Sequence, residues 1–421
     1  MSDSRKRVLD AVNHRQPDRV PVDFGAMPST GMHCSIIAGL RDHYGLEKRL
    51  VKAFEPYQML GWIDDDLREA MDVDTAMVMP VGTNFGNSIG EWKEWRTLWG
   101  QDVLIPKEME VEKSEDGGYV VFPQGDRAVP PSAKMPASGY FFDAIERQED
   151  YDEDDPDPRD NAADFKVLSD EAVARIAASA KEARKTGKLT MFSLPGGSLS
   201  SPSQFAGMSV KFPKGMRKLA DWYMAMVAFP DFVKGVFALQ TETALVNMDK
   251  IYRAAGDDID VLMLCTGDFG TQINTFFSVD TFEDLFVPFY KRINGWIHDN
   301  TPWKVFKHSC GAIEPLINSM IDSGFDILNP VQCSASGMDP EHLKKTYGDR
   351  IAFWGGGIDT QRVLPFGTAE ECKQQAMERC RIFSPGGGFI FNAIHNVQAL
   401  TPVENVVAML EGVKEFNRAG R

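Results

Sequence analysis

The chain has 421 residues, a hydrophobic fraction of 43%, a charged fraction of 25% and a formal net charge of −16. These fractions are ordinary for a globular protein, and the length suits one large domain carrying insertions. The acidic balance excludes the basic footprint of a nucleic-acid binder, and no apolar run is long enough to span a bilayer. Six cysteines, Cys34, Cys265, Cys310, Cys333, Cys372 and Cys380, are too sparse for a disulfide scaffold in a chain of this size. The opening residues are polar and lack the apolar stretch of a signal peptide, so the cytoplasm is the expected compartment, where thiols stay reduced and free to bind metal.

Short apolar runs alternate along the chain with amphipathic helical stretches. In order, the runs are Arg19–Phe24, Val73–Met79, Leu189–Leu194, Ile259–Cys265, Lys304–His308, Asp326–Val331, Ile351–Trp354 and Phe389–Asn392. Near-continuous rather than alternating apolar character suits parallel strands buried on both faces. After Gly311, residues Ile313, Leu316, Ile317, Met320 and Ile321 share one face of a 3.6-period helix. The last helix is expected to open with Thr401 as N-cap, Pro402 at the first position and Glu404 completing a capping box. A strand–helix alternation repeated eight times argues for a closed (β/α)8 TIM barrel, a single domain over residues 1–421. Residues from about 88 to 165 break the pattern. They are rich in Trp, Gly and Pro, contain strand-like pieces such as Gly118–Phe122 and end in the acidic run Gln148–Asp160. They are expected to form an insertion after the second barrel strand, its acidic run solvated.

Active sites of such barrels lie at the C-terminal ends of the strands. The residues there are Asp23 and Gly25, Pro80, Pro195 with the two glycines after it, Asp268, His308 and Cys310, Gln332 and Cys333, Asp359 and His395. His308 and Cys310 stand two apart at a strand end, so both side chains can point the same way. A His and Cys pair suits zinc, but two ligands do not make a site. His395 is the first candidate for a third ligand, Cys333 the second and Cys265 the third. Asp268 follows a buried strand; it is either an Asx cap or a carboxylate that binds substrate or tunes a ligand. Asp359 is ambiguous in the same way. The glycines 355–357 and 386–388 allow close backbone approach but fit no dinucleotide fingerprint.

These residues resemble the uroporphyrinogen decarboxylase superfamily, and within it the corrinoid-linked methyltransferases. The resemblance rests on RKRVLDAVNHRQPDRVPV at 5–22, HSCG at 308–311, SGFDILNPVQ at 323–332, YGDRIAFWGGGID at 347–359 and GGFIFNAIHNVQALTPVEN at 387–405. Decarboxylases of this family carry an Arg-Gln-Ala-Gly-Arg segment after the first strand and a catalytic aspartate after the second. Here the corresponding stretches are Asp23 to Thr30, with no arginine, and Met79-Pro80-Val81. Both departures argue against porphyrinogen decarboxylation. The thiol methyltransferases of the family hold zinc with a His-x-Cys…Cys set. His308 and Cys310 match its first two ligands, and the third falls on His395 in place of the late Cys.

The resemblance therefore implies zinc-dependent transfer of a methyl group from a small donor to the cobalt of a separate corrinoid protein. The cobalamin would arrive in trans, since no Asp-x-His-x-x-Gly segment stands in this chain to hold it. Asp268 and Gln332 are expected in catalysis, and Asp23, Gln272, Asp359 and Asn392 in substrate binding. Methoxyaromatic donors are favoured because the larger insertion is shared with methyltransferases that demethylate them, and because Trp92, Trp95 and Trp99 could wall an aromatic pocket. The other reading of those tryptophans, and the commoner one for such residues, is plain core packing of the insertion. Nucleic acid and membrane are not expected partners, and a homodimer is compatible with the sequence. The alternative activity is decarboxylation of another small acid.

Overall fold

The computed structural model describes residues 4–149, 151–152, 154–195, 199, 207–265 and 267–420. Seven of the eight runs form parallel strands: Thr75–Met77 (β1), Leu189–Ser193 (β2), Val261–Cys265 (β3), Lys304–His308 (β4), Ile327–Asn329 (β5), Ala352–Trp354 (β6) and Phe389–Ile390 (β7). They pair in chain order from β1 to β7 in one curled sheet. Helices on the outside return the chain from each strand to the next, as parallel pairing requires. Side chains alternate between two buried environments, which explains the unbroken apolar runs. Leu189, Met191, Val261, Met263, Phe306, Ile327, Ala352, Trp354 and Ile390 form an inner cluster. Phe192, Leu262, Val305, Leu328 and Phe353 belong to the larger outer core beneath the helices.

The sequence predicts a strand over Arg19–Phe24, and here the structure differs. The segment makes a single bridge, Val22 to Phe391. Pro21 has no N–H to donate to a ladder, and the Val22 N–H goes to the Asp74 carboxylate at 3.1 Å. The segment still closes the ring. Phe391 N donates to Pro21 O (2.8 Å), Asp23 N to Phe391 O (2.9 Å) and Asp74 N to Val22 O (2.8 Å). It therefore fills the eighth position between β7 and β1.

The helix Ser4–Val12 (α1) covers the N-terminal end of the barrel. Its Val8, Ala11 and Val12 join the inner cluster beside Leu189, Val261 and Ile327, which lie at the starts of β2, β3 and β5. Charge pairs fasten it. Arg7 reaches Asp74 at 2.5 Å and Asp18 at 2.7 Å. The Arg5 guanidinium meets Asp260 at 2.9 Å and that of Arg184 meets it at 2.8 Å.

Two further sheets lie outside the barrel. Trp92–Arg96 and Asp102–Pro106 pair with Val51–Glu55 and Leu60–Gly61, an excursion before β1 that the sequence reading missed. Val111–Lys113, Tyr119–Val121, Ala133–Met135 and Asp143–Ala144 form an antiparallel sheet. The last helix, Val403–Arg418, begins one residue later than expected: Pro402 is its N-cap, no side chain caps it, and the anticipated capping box is absent. The face drawn after Gly311 is buried at Ile313, Leu316, Ile317 and Met320. Among the described residues no single helix is long and apolar enough to cross a membrane.

Burial opposes ionisation of Asp260, but bonds from Arg184, Arg5 and the Thr190 N–H outweigh it and hold the carboxyl below its ordinary pKa. A carboxylate with a depressed folded pKa adds stability above its unfolded pKa, near ~3.9, and loses that contribution as pH falls through the folded value. Asp260→Asn is expected to cost about 2 kcal/mol at neutral pH. That is less than the roughly 3–5 kcal/mol of a fully buried pair, because both arginines keep part of their hydration. Urea denaturation should show the difference between the two proteins shrinking as pH falls below the ordinary carboxylate range.

Candidate metal centre

The β4–β5 register sets His308 opposite Asn329. His308 is the last residue of its strand, buried, with Nδ1 2.6 Å from Asn329 Oδ1. Its Nε2 lies 3.6 Å from Cys310 Sγ and 3.7 Å from an Asp268 oxygen. His395 arrives from beyond β7, on a segment tied to the β6 loop by Ile394 N donating to Ile358 O (3.1 Å). Its ring centroid is 6.3 Å from that of His308. The ligand atoms of His308, Cys310 and His395 all lie within 4.8 Å of one another.

The loop leaving β4 is held at four successive backbone N–H groups. Ser309 N donates to Asn329 O (2.7 Å) and Ala312 N to Thr271 O (2.8 Å). Cys310 N donates to Asp268 Oδ1 (2.8 Å), and Gly311 N to Gln332 Oε1 (2.7 Å). Gln332 is fixed in turn by its Nε2, which donates to Gln272 Oε1 at 3.0 Å. Gly311 has φ +96°, and a Cβ there would fall 2.3 Å from the Gly270 carbonyl. Only glycine lets the β3 and β4 loops approach this closely.

Electrostatics favour neutral donors in the free protein. Burial, against the opposing pull of Asp268 and Asn329, brings the His308 pKa down to about 4. Burial, then the adjacent Asp268 carboxylate, pushes the Cys310 thiol well above its ordinary value. Two imidazoles and one thiol at this spacing are a donor set that fits zinc, and three protein ligands leave a coordination position for a substrate atom.

The other residues read from the sequence divide. Asp268, Gln332 and Gln272 stand at the centre through the bonds above. Cys333 does not join the cluster: its thiol lies against the carbonyls of Val331 (3.4 Å) and Gly356 (4.0 Å). The side chain of Cys265, like Gly196 and Gly197, lies outside the described residues. Asp359 caps its own turn, accepting from Gln361 N (2.7 Å) and Arg362 N (3.2 Å). Asp23 is fully buried; its carboxylate accepts from Thr75 Oγ1 (2.5 Å) and Trp354 Nε1 (2.8 Å). Asn392 Nδ2 donates to Asp23 O at 2.7 Å.

Of the three tryptophans, Trp92 packs on a cluster of Phe54, Leu60 and Met77 together with Trp62 and Met79, at the end of β1. Trp95 lies against Tyr119 and Trp99 against Tyr140. Two residues near the cluster escaped the sequence reading. Asn329 carries a readable signal, a polar residue interrupting the apolar run Asp326–Val331. Tyr223 carries none. Its ring stacks on Phe276 at 4.9 Å, and burial, with the Asp268 charge nearby, pushes its phenol up to about 12.

Comparison with known proteins bears on this architecture. Uroporphyrinogen decarboxylases of two Coxiella burnetii strains, Dugway 5J108-111 and RSA 331 / Henzerling II, are 30% identical over 89 residues. That stretch is 20% of this chain and spans 24% of the length of those relatives. A methyltransferase from Methanosarcina mazei superposes with a TM-score of 0.55 at 16% identity, covering 99% of each chain, which is a likeness of fold. The profile of the family described as uroporphyrinogen decarboxylase (URO-D) matches residues 158–416, more than half of the chain and all of the barrel from the helix before β2 to the last helix. The chain belongs to the uroporphyrinogen decarboxylase family.

Proposed function

We propose that this protein is a zinc-dependent methyltransferase that moves a methyl group from a small donor, a methoxyaromatic by preference, to the cobalt of a separate corrinoid protein. The observation that carries the reading is the convergence of His308, Cys310 and His395 at the C-terminal end of the barrel. The similarity of fold to a methyltransferase supports it. A zinc ion held there would act as a Lewis acid on the donor's heteroatom, easing departure of an otherwise poor leaving group. The protein's own part is to hold the three donors fixed before metal or substrate arrives. Asp268, bonded to Cys310 N, fixes the loop leaving β4 beside the Cys310 thiol. Gln332 holds the loop in place through Gly311 N. Trp92, Trp62 and Phe54 pack together in a core cluster at the end of β1, so the preference for an aromatic donor rests on the resemblance to methyltransferases that demethylate methoxyaromatics. The corrin chemistry belongs to the partner's cofactor.

Purified protein is expected to carry one zinc per chain by elemental analysis, and a variant combining His308→Ala with Cys310→Ala to carry none. Retention of stoichiometric zinc by that variant would overturn the centre proposed here. Mixed with a reduced corrinoid protein, the enzyme should generate methyl-Co(III), followed by absorbance. Methoxyaromatics should react faster than methylamines, methanol or methyl thioethers. His308→Ala should slow the reaction by roughly a hundredfold or more, the loss of a Lewis acid worth several kcal/mol. Equal rates with and without His308 would sink the mechanism, whereas reaction with methylamines or methanol alone would remove only the aromatic donor. Incubation with uroporphyrinogen should yield no coproporphyrinogen. The segment from Asp23 to Thr30 contains no arginine to pair the substrate's carboxylates once they are desolvated. An enzyme-like rate of decarboxylation would refute that expectation.

A further inference from the structure

We propose that Asn329 is a positioning residue: it locks the His308 imidazole as the Nδ1–H tautomer, so that the Nε2 lone pair faces Cys310 and His395. The inference deepens the metal-centre reading and takes its purpose from it.

The proton assignment follows from what each atom can do. Asn329 is fully buried in the last position of β5. One end of its amide lies 2.7 Å from the Trp354 carbonyl oxygen. A carbonyl only accepts, so that end must be the NH2 group. The other end, Oδ1, is then the one 2.6 Å from His308 Nδ1. An amide oxygen also only accepts, so Nδ1 must carry the proton. A neutral imidazole has a single N–H, and Nε2 is left with its lone pair toward the Cys310 sulfur 3.6 Å away.

The amide is itself held on a rigid frame. Trp354 is fully buried in β6, and its indole N–H is fixed by Asp23 at 2.8 Å. Thr75 from β1 donates to the same carboxylate, and Asn392 donates to the Asp23 backbone carbonyl. Gly355, at φ +103°, leaves room for the amide: a Cβ there would stand 3.3 Å from Asn329 Nδ2 and 3.1 Å from Ala393 O. A relay of hydrogen bonds thus runs from His308 across β5 and β6 to the segment that closes the barrel. Asp23 and Asn392 act at the far end of it, on the orientation of Trp354.

The test uses metal-free protein labelled with 15N-histidine, with the tautomer read from two-bond 1H–15N correlations. The His308 signal is assigned by its loss in His308→Gln. Wild-type His308 is expected to be protonated at Nδ1. Asn329→Asp keeps an acceptor at that nitrogen and should keep the tautomer. Asn329→Leu removes it and should release a population protonated at Nε2. Zinc affinity, from chelator competition, should fall about 10–100-fold in Asn329→Leu and be largely rescued in Asn329→Asp. Wild-type His308 protonated at Nε2 would overturn the inference, as would unchanged tautomer and zinc affinity in a folded Asn329→Leu. Should Asn329→Leu not fold, the wild-type and Asn329→Asp spectra decide alone. If the tautomer shifts as expected but no variant binds zinc, the role of Asn329 stands and the metal reading fails.

Discussion

Buried backbone N–H groups that leave a parallel strand must find acceptors, and in this protein that constraint shapes the whole centre. The chain turns away from its sheet after His308 with four such groups in succession, Ser309 to Ala312. Each finds its acceptor on a different neighbour: the β5 backbone, the Asp268 carboxylate, the Gln332 amide and the Thr271 carbonyl. Satisfying them fixes Cys310 beside His308 and draws the loops after β3 and β5 inward. The polar residues around the cluster therefore hold its geometry whatever else they do. A carboxylate anchored by a backbone amide is a poor candidate for large movement.

Much of this could be read from the sequence, for identifiable reasons. The barrel strands were legible because both their faces are buried, which leaves unbroken apolar runs such as the one containing Val261–Cys265. His308 and Cys310 were legible because they are neighbours in the chain. His395 was legible only through the placement of strand ends, which a barrel makes common to all its strands. Asn329 acts through two side-chain bonds to neighbouring strands, and such bonds leave little mark beyond a polar residue inside an apolar run. Asp359 illustrates an ambiguity that sequence alone leaves open. An aspartate after a strand looks alike whether it faces a substrate or caps its own turn, and here it caps.

The Arg19–Phe24 segment failed as a strand for a reason also written in the sequence. Its apolar content is right, but Pro21 removes one donor from the ladder and Asp74 diverts another. The pairing of Val51–Glu55 with Asp102–Pro106 was invisible because its partners are separated by the whole of β1 and are parallel. Neither a turn signal nor a periodicity links two such stretches. The position of the Trp-rich sheets beside β1 thus comes from tertiary packing, with Trp92 against the cluster of Phe54, Leu60 and Met77 and Trp95 against Tyr119.

The seam at Pro21–Asp23 has a consequence for how the barrel breathes. Seven strands pair side by side in ladders, whereas the ring is completed through three backbone bonds, two of which make the single Val22–Phe391 bridge, and one carboxylate. Sub-global opening starts where backbone bonding is sparsest, so amide hydrogens of Asp23 and Phe391 should exchange ahead of those in β3 and β4. Such opening would loosen Asp23 first and leave the β4–β5 pair, with its histidine, still closed. Of the three candidate donors, His308 and Cys310 thus stand across the barrel from its sparsest joint, while His395 follows the end of β7 that forms it.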